Sequence, residues 1–204
     1  MAAGLRPNAD FARVNLDFAH FAAGARFGRS YFERHTDPLG FGKFPSRFSD
    51  PRRRRREDRF GVLYVGETLQ VCFLEAVLRD KRNGAIGDYP LDDAELSARR
   101  YAVVEAATAV SMVDLRSDGA VRMGVPSDVA HASDQRLARA WSLAFQEHPS
   151  MPDGVAYSSR LNGQTNLAFY DRAVPKLRAV ETMPLIRAPG LAAVLDELLV
   201  TLVP

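Results

Sequence analysis

Apolar residues recur at helical spacing in some stretches of this chain and cluster in short β-rich runs in others. In residues 10–25, Phe11, Val14, Phe18 and Phe21 recur every three or four positions, and Asn8 or Asp10 can cap the start. That spacing predicts an N-terminal amphipathic helix. Thr68 is placed to cap a second helix reaching about Asp80, with Leu69, Phe73, Leu74, Val77 and Leu78 on its apolar face. A short polar helix is predicted over 92–100. Another is predicted over 134–147, with Leu137, Trp141, Ala144 and Phe145 turned inward, and a closing helix over 191–202. Strands are predicted at 27–31, 46–49, 60–65, 101–105, 110–115, 155–157, 166–170 and 176–180, with turn punctuation at 37–42 and 149–154. Strands and helices mix without regular alternation. This argues for an α+β fold, a compact mixed β-sheet core flanked by helices, rather than a doubly wound one. Residues 1–26 read as a helical extension and 27–204 as one domain.

Composition narrows the class. The chain has 204 residues, 47% of them hydrophobic and 25% charged, which is enough apolar material for a core. The net charge of +2 is too weak to indicate nucleic-acid binding. A local arginine run at 52–56, followed by Glu57 and Asp58, reads as a solvated loop or as a docking patch for an acidic partner. It lacks the aromatic interleaving of a nucleic-acid surface. The single cysteine, Cys72, excludes an internal disulfide and lies in an apolar run where it packs as a small hydrophobe. Residues 1–7 lack an apolar signal core, and no stretch approaches the ~20 apolar residues of a membrane span. A soluble cytoplasmic protein with no membrane partner is expected.

Several polar residues stand where core packing does not explain them. Arg47 lies between Ser46 and Phe48, and its planar fork can hold a phosphate or carboxylate bidentately. Tyr64 ends an apolar strand. Glu75 sits among Phe73, Leu74, Ala76 and Val77, one position off the apolar row. Ser158, Ser159 and Arg160 follow the strand at 155–157 and form a good anion-binding turn. Taken singly each also has a plain reading: a surface arginine, a rim tyrosine, a helix glutamate facing solvent. The isolated histidines, and the lack of any Cys/His cluster, predict no metal site. No P-loop or Rossmann glycine pattern opens a helix.

Taken together these segments resemble the RES-domain family, toxins of bacterial RES–Xre toxin–antitoxin pairs. The resemblance rests on Ser46-Arg47-Phe48, Leu63-Tyr64, Leu74-Glu75, the Gly154 to Arg160 turn and Asn166-Leu167-Ala168-Phe169, in that order. Phe27-Gly28-Arg29 matches the family's upstream arginine. Ser159 is preferred over Ser158 as the family serine because it directly precedes Arg160. The resemblance covers about 27–180 and leaves out the arginine run and the N-terminal segment.

The resemblance implies a fold like that of ADP-ribosyltransferases and the consumption of NAD+ as substrate, without a metal. Glu75 would stabilise an oxocarbenium-like ribose, and Arg29 and Arg47 would hold the pyrophosphate or an incoming phosphate. Tyr64 would stack on or hydrogen-bond the nicotinamide end, and Ser159 and Asn166 would orient the ribose and phosphates. Glu75, Arg47 and Tyr64 are thus the expected catalytic set. The acceptor is left open: inorganic phosphate, water or a protein side chain. The resemblance further implies a cognate Xre-like, DNA-binding antitoxin that blocks the cleft, and a homodimer or a hetero-oligomer with it. No direct nucleic-acid binding by this chain is expected. A reading from another class remains, a non-catalytic module that captures a phosphate ligand or docks a partner.

Overall fold

The computed structural model describes residues 5–204. Its strands are β1 (Phe18–Phe21), β2 (Arg26–Phe32), β3 (Val62–Gly66), β4 (Tyr89–Asp92), β5 (Arg99–Ala106), β6 (Val110–Asp114), β7 (Gly154–Ser158), β8 (Thr165–Tyr170), β9 (Leu177–Pro184) and β10 (Val200–Val203). Its α-helices are α1 (Leu69–Phe73), α2 (Asp93–Ser97), α3 (Gly119–Arg122), α4 (Asp128–His131), α5 (Arg136–Gln146) and α6 (Leu191–Glu197). Eight strands form one sheet in the order β1-β6-β7-β8-β3-β2-β5-β9, and β10 pairs with β4 in a small parallel ribbon. Within the large sheet β6 and β7 run parallel and the other pairs antiparallel. This is the α+β architecture expected from the intermixed pattern.

Period-2 alternation sends residues to opposite faces of the sheet. Val62, Val155, Tyr157, Ala168 and Tyr170 face one core, closed by Phe11 and by Ala138, Trp141 and Phe145 of α5. Leu63, Val65, Ala156, Leu167 and Phe169 face a second core with Phe27, Ala102 and Val104. A third core joins Phe73, Leu74, Val77 and Leu78 to Leu91, Leu96, Leu185 and Leu191.

The N-terminal helix expected over 10–25 is absent. Residues Ala9–Arg13 form a 3-10 turn, and Phe18–Phe21 is the edge strand β1, paired antiparallel with β6. A three-to-four residue spacing of phenylalanines fits a helix, but the exposed hydrogen-bonding edge of β6 gives this segment a partner that a free helix lacks. Phe11 anchors the turn edge-on against Trp141, with ring centroids 4.9 Å apart. The closing helix also stops early, at Glu197. Leu199 takes a positive φ of 50°, and the apolar run beyond it becomes β10. Residues 46–49 form a turn rather than a strand, closed by Ser49 N–H to the Ser46 carbonyl at 3.3 Å. The polar helix expected over 92–100 ends at Ser97, and β5 begins at Arg99.

Candidate active site

The sheet opens at its centre. β2 and β3 share only the Gly28–Gly66 pair, after which β2 follows β5 and β3 follows β8. Both glycines are needed for that crossing. A Cβ on Gly28 would stand 2.3 Å from the Tyr101 hydroxyl, and one on Gly66 would stand 2.5 Å from Val71 and 2.8 Å from the Cys72 sulfur. Where β2 leaves β3, Gly42 takes its place and exchanges backbone hydrogen bonds of 3.0 and 2.8 Å with Val62. The gap is a cavity of about 290 Å³. Its wall includes Arg29, Ser30, Ser46, Arg47, Tyr64, Glu75, Arg79, Tyr157, Arg160 and Asn166.

Glu75 owes its direction to a defect in its helix. α1 starts at Thr68, whose hydroxyl accepts from Val71 N–H, and after Phe73 it widens into a π-turn over Leu74–Leu78. The closing bond runs from Arg79 N–H to the Leu74 carbonyl at 2.6 Å, a five-residue span. The half-buried Glu75 carboxylate faces β7 and β8 rather than solvent. Its Oε1 accepts from Ser159 Oγ at 2.7 Å and from Asn166 Nδ2 at 3.1 Å. Both donors are buried, Ser159 at 2% exposure and Asn166 at 5%. Of the two adjacent serines it is Ser159, not Ser158, whose hydroxyl bonds Glu75. It sits behind Glu75 as its support and is not part of the cavity wall.

Tyr64 organises the loop that carries Arg47. Its hydroxyl accepts from Phe48 N–H at 2.8 Å and lies 3.0 Å from Ser46 Oγ. Ser142 Oγ of α5 donates to the Phe48 carbonyl at 2.6 Å, which fixes the other side of that turn. Arg47 then reaches the cavity with Nη1 donating to the Ala132 carbonyl at 2.8 Å. Burial lowers its pKa, against the attraction of Tyr157, Glu75 and Tyr64. Arg29 is more deeply enclosed. Its guanidinium donates to the Pro38 and Gly40 carbonyls and pins the loop that replaces β2. Burial pulls its pKa down to about 10, partly offset by Asp37, so it stays cationic at neutral pH.

The five expected residues Arg29, Arg47, Tyr64, Glu75 and Asn166 therefore meet on one cavity, and Ser159 stands directly behind. Tyr157, Arg79 and Arg160 also belong to the wall. Tyr157 is buried, and its pKa is pushed well above 10 by burial, with Tyr64 and Glu75 adding to the rise. Arg160 pairs with Asp80. Arg79 carries φ 40° and ψ −116°, a conformation that side-chain-bearing residues hold at a cost of about 1–3 kcal/mol and that clusters at functional sites. Tyr157 and Arg160 lie within the Gly154–Arg160 segment that carries the family resemblance, whereas nothing in the sequence singles out Arg79. Among the described residues no group of three or more His, Cys, Asp or Glu gathers as a metal would require, and no helix is long and apolar enough to cross a membrane.

A carboxylate held by two neutral donors, with arginines and phenols around it, can stabilise a cation on a ligand whose remainder is anionic. The RES domain family model matches residues 20–192, and the chain belongs to that family. It is 40% identical over 121 residues to "Probable toxin y4kH" of Sinorhizobium fredii (strain NBRC 101917 / NGR234), a stretch covering 59% of this chain and 95% of that relative. A chain in the crystal structure of the M. tuberculosis MbcT–MbcA toxin–antitoxin complex shares the fold. It superposes with a TM-score of 0.62 at 18% identity, covering 88% of this chain and 91% of that one.

Proposed function

We propose that this protein is the toxin of a toxin–antitoxin pair and cleaves the nicotinamide–ribose bond of NAD+, passing ADP-ribose to phosphate or water. The observation that carries the reading is the Glu75 carboxylate, fixed by Ser159 and Asn166 on a cavity rich in arginine. As the C1–N bond lengthens, its electron pair leaves with nicotinamide, which departs neutral. The ribose becomes oxocarbenium-like, and Glu75 faces that positive charge. The cation then bonds to a phosphate oxygen, or to water with loss of a proton. Ser159 and Asn166 keep the carboxylate aimed, so each acts through Glu75. The arginines offset the charge of the pyrophosphate. Tyr64 and Tyr157 offer aromatic and hydroxyl contacts to the nicotinamide end.

A relative named a probable toxin, and a fold shared with a chain of a toxin–antitoxin complex, support the cellular role. They also support a protein antitoxin as partner, for which the family resemblance suggests an Xre-like DNA-binding type. Controlled expression tests this reading in cells. Growth should stop as the NAD+ pool falls, and Glu75→Gln should prevent both. Arrest with an unchanged NAD+ pool would exclude NAD+ as the substrate.

A further inference from the structure

The cavity wall contains four arginines, but they are not equally available. Arg29 is engaged by the Pro38 and Gly40 carbonyls, Arg47 by the Ala132 carbonyl, and Arg160 by Asp80. Among the described residues, the exposed Arg79 guanidinium has no hydrogen-bond or ion-pair partner, so its five donors are free for a ligand at this wall. Its backbone is held in place, which sets where the side chain leaves the wall. The π-turn closes on Arg79 N–H, and the neighbouring Asp80 is tied across the cavity to Arg160. Glu75, at the other end of the same turn, is tied to Ser159 and Asn166. The segment is thus latched at both ends to the strand-turn at 158–166, and Arg79 lies between the latches in a conformation that glycine would adopt more readily. Ser30 lies in the same wall, and its buried hydroxyl lacks a partner.

We propose that Arg79 is the principal phosphoryl-binding residue of this cavity, with Arg29 and Arg47 chiefly holding the loops that shape it. This rests on the NAD+ reading for the identity of the ligand, and the chemistry it asserts is an arginine fork on phosphoryl oxygens. The phosphoryl group is either the dinucleotide's pyrophosphate or a free phosphate acceptor.

Two variants and two probes separate the outcomes. Calorimetry with NAD+ and with inorganic pyrophosphate should show binding to the wild type. Binding should weaken on the order of 10- to 100-fold in Arg79→Gly, the range of a lost charge-assisted hydrogen-bond pair. Arg79→Lys should recover part of it. Relief of the backbone strain should raise the melting temperature of Arg79→Gly by about 2–4 °C. In turnover, a raised KM for NAD+ assigns Arg79 to the pyrophosphate, and a raised half-saturation for phosphate assigns it to the acceptor. Unchanged binding in Arg79→Gly, or a lowered melting temperature of Arg79→Gly with no recovery of binding in Arg79→Lys, overturns the role of Arg79 and leaves the NAD+ reading standing. A wild type that binds pyrophosphate but not NAD+, and loses it in Arg79→Gly, supports the role of Arg79 and sinks the dinucleotide. Binding of neither probe by the wild type overturns both.

Discussion

Replacing Glu75 separates charge from packing. Its Oε1 accepts both the Ser159 hydroxyl, at 2.7 Å, and the Asn166 amide, at 3.1 Å. In Glu75→Gln the amide oxygen can take the place of Oε1 and keep both bonds. The change is from charge-assisted to neutral hydrogen bonds, about 1 kcal/mol each, or about 2 kcal/mol in all before relief of carboxylate desolvation is credited. For a chain of this size that lowers the melting temperature by at most about 4–8 °C. Glu75→Ala instead leaves a buried hydroxyl and a buried amide without their acceptor, at about 1–3 kcal/mol each. Stability should therefore rank wild type, Gln, Ala. Turnover should not follow that ranking. Both variants lack the negative charge opposite the ribose cation, and both should fall by about 10²–10³ or more. Differential scanning calorimetry and nicotinamide release by chromatography measure the two series on the same preparations. A Glu75→Gln enzyme within tenfold of wild type would refute the reasoning. So would activities that simply track stability.

Four further outcomes are expected. Tyr64→Phe strips Phe48 N–H of its acceptor and should lower stability by about 1–3 kcal/mol while weakening NAD+ binding through the loosened loop at 46–49; full stability in denaturant titration would contradict it. Gly66→Ala pushes a methyl into Val71 and Cys72 and should cost about 1–3 kcal/mol in the same titration, with wild-type stability the contrary result. Burial raises the Asp50 pKa, but hydrogen bonds from Arg52 and Phe60 N–H outweigh it and hold Asp50 below 3.8. Asp114 is held low in the same way by Arg116. Their contribution is present above about pH 4 and is lost as pH falls through the depressed values, so melting temperature should drop steeply below pH 4 and less steeply in Asp50→Asn. An unchanged slope would contradict that. Burial pushes the Cys72 thiol up to about 12, so native protein should resist alkylation at pH 8 and react only when unfolded.

Much of the chemistry was legible because side-chain type and chain order carry it. Arg47, Tyr64, Glu75 and Asn166 are unusual for the apolar elements that hold them, and the fold brings them together. What could not be read depends on which strands pair. Strand periodicity places Gly28 in a strand and ends the 60–65 strand at Val65, one residue short of Gly66, and it does not show that Gly28 and Gly66 are the pair between β2 and β3. The π-turn at 74–78 looks like ordinary helix in its apolar spacing, so the direction of Glu75 stayed open. Arg79 differs from any surface arginine only in its backbone angles. The N-terminal helix failed for the same reason: phenylalanines at 11, 18 and 21 fit a helix face, while the unpaired edge of β6 decides otherwise.

The account stands or falls on purified protein incubated with NAD+, with and without phosphate, and assayed for free nicotinamide. Release by the wild type, lost in a folded Glu75→Gln protein, is the predicted result. Acceleration by phosphate, with an ADP-ribose phosphate product, would identify phosphate as the acceptor, and release at the same rate without it would identify water. Folded wild-type protein that releases no nicotinamide under either condition would contradict the central claim and leave the cavity a binding site.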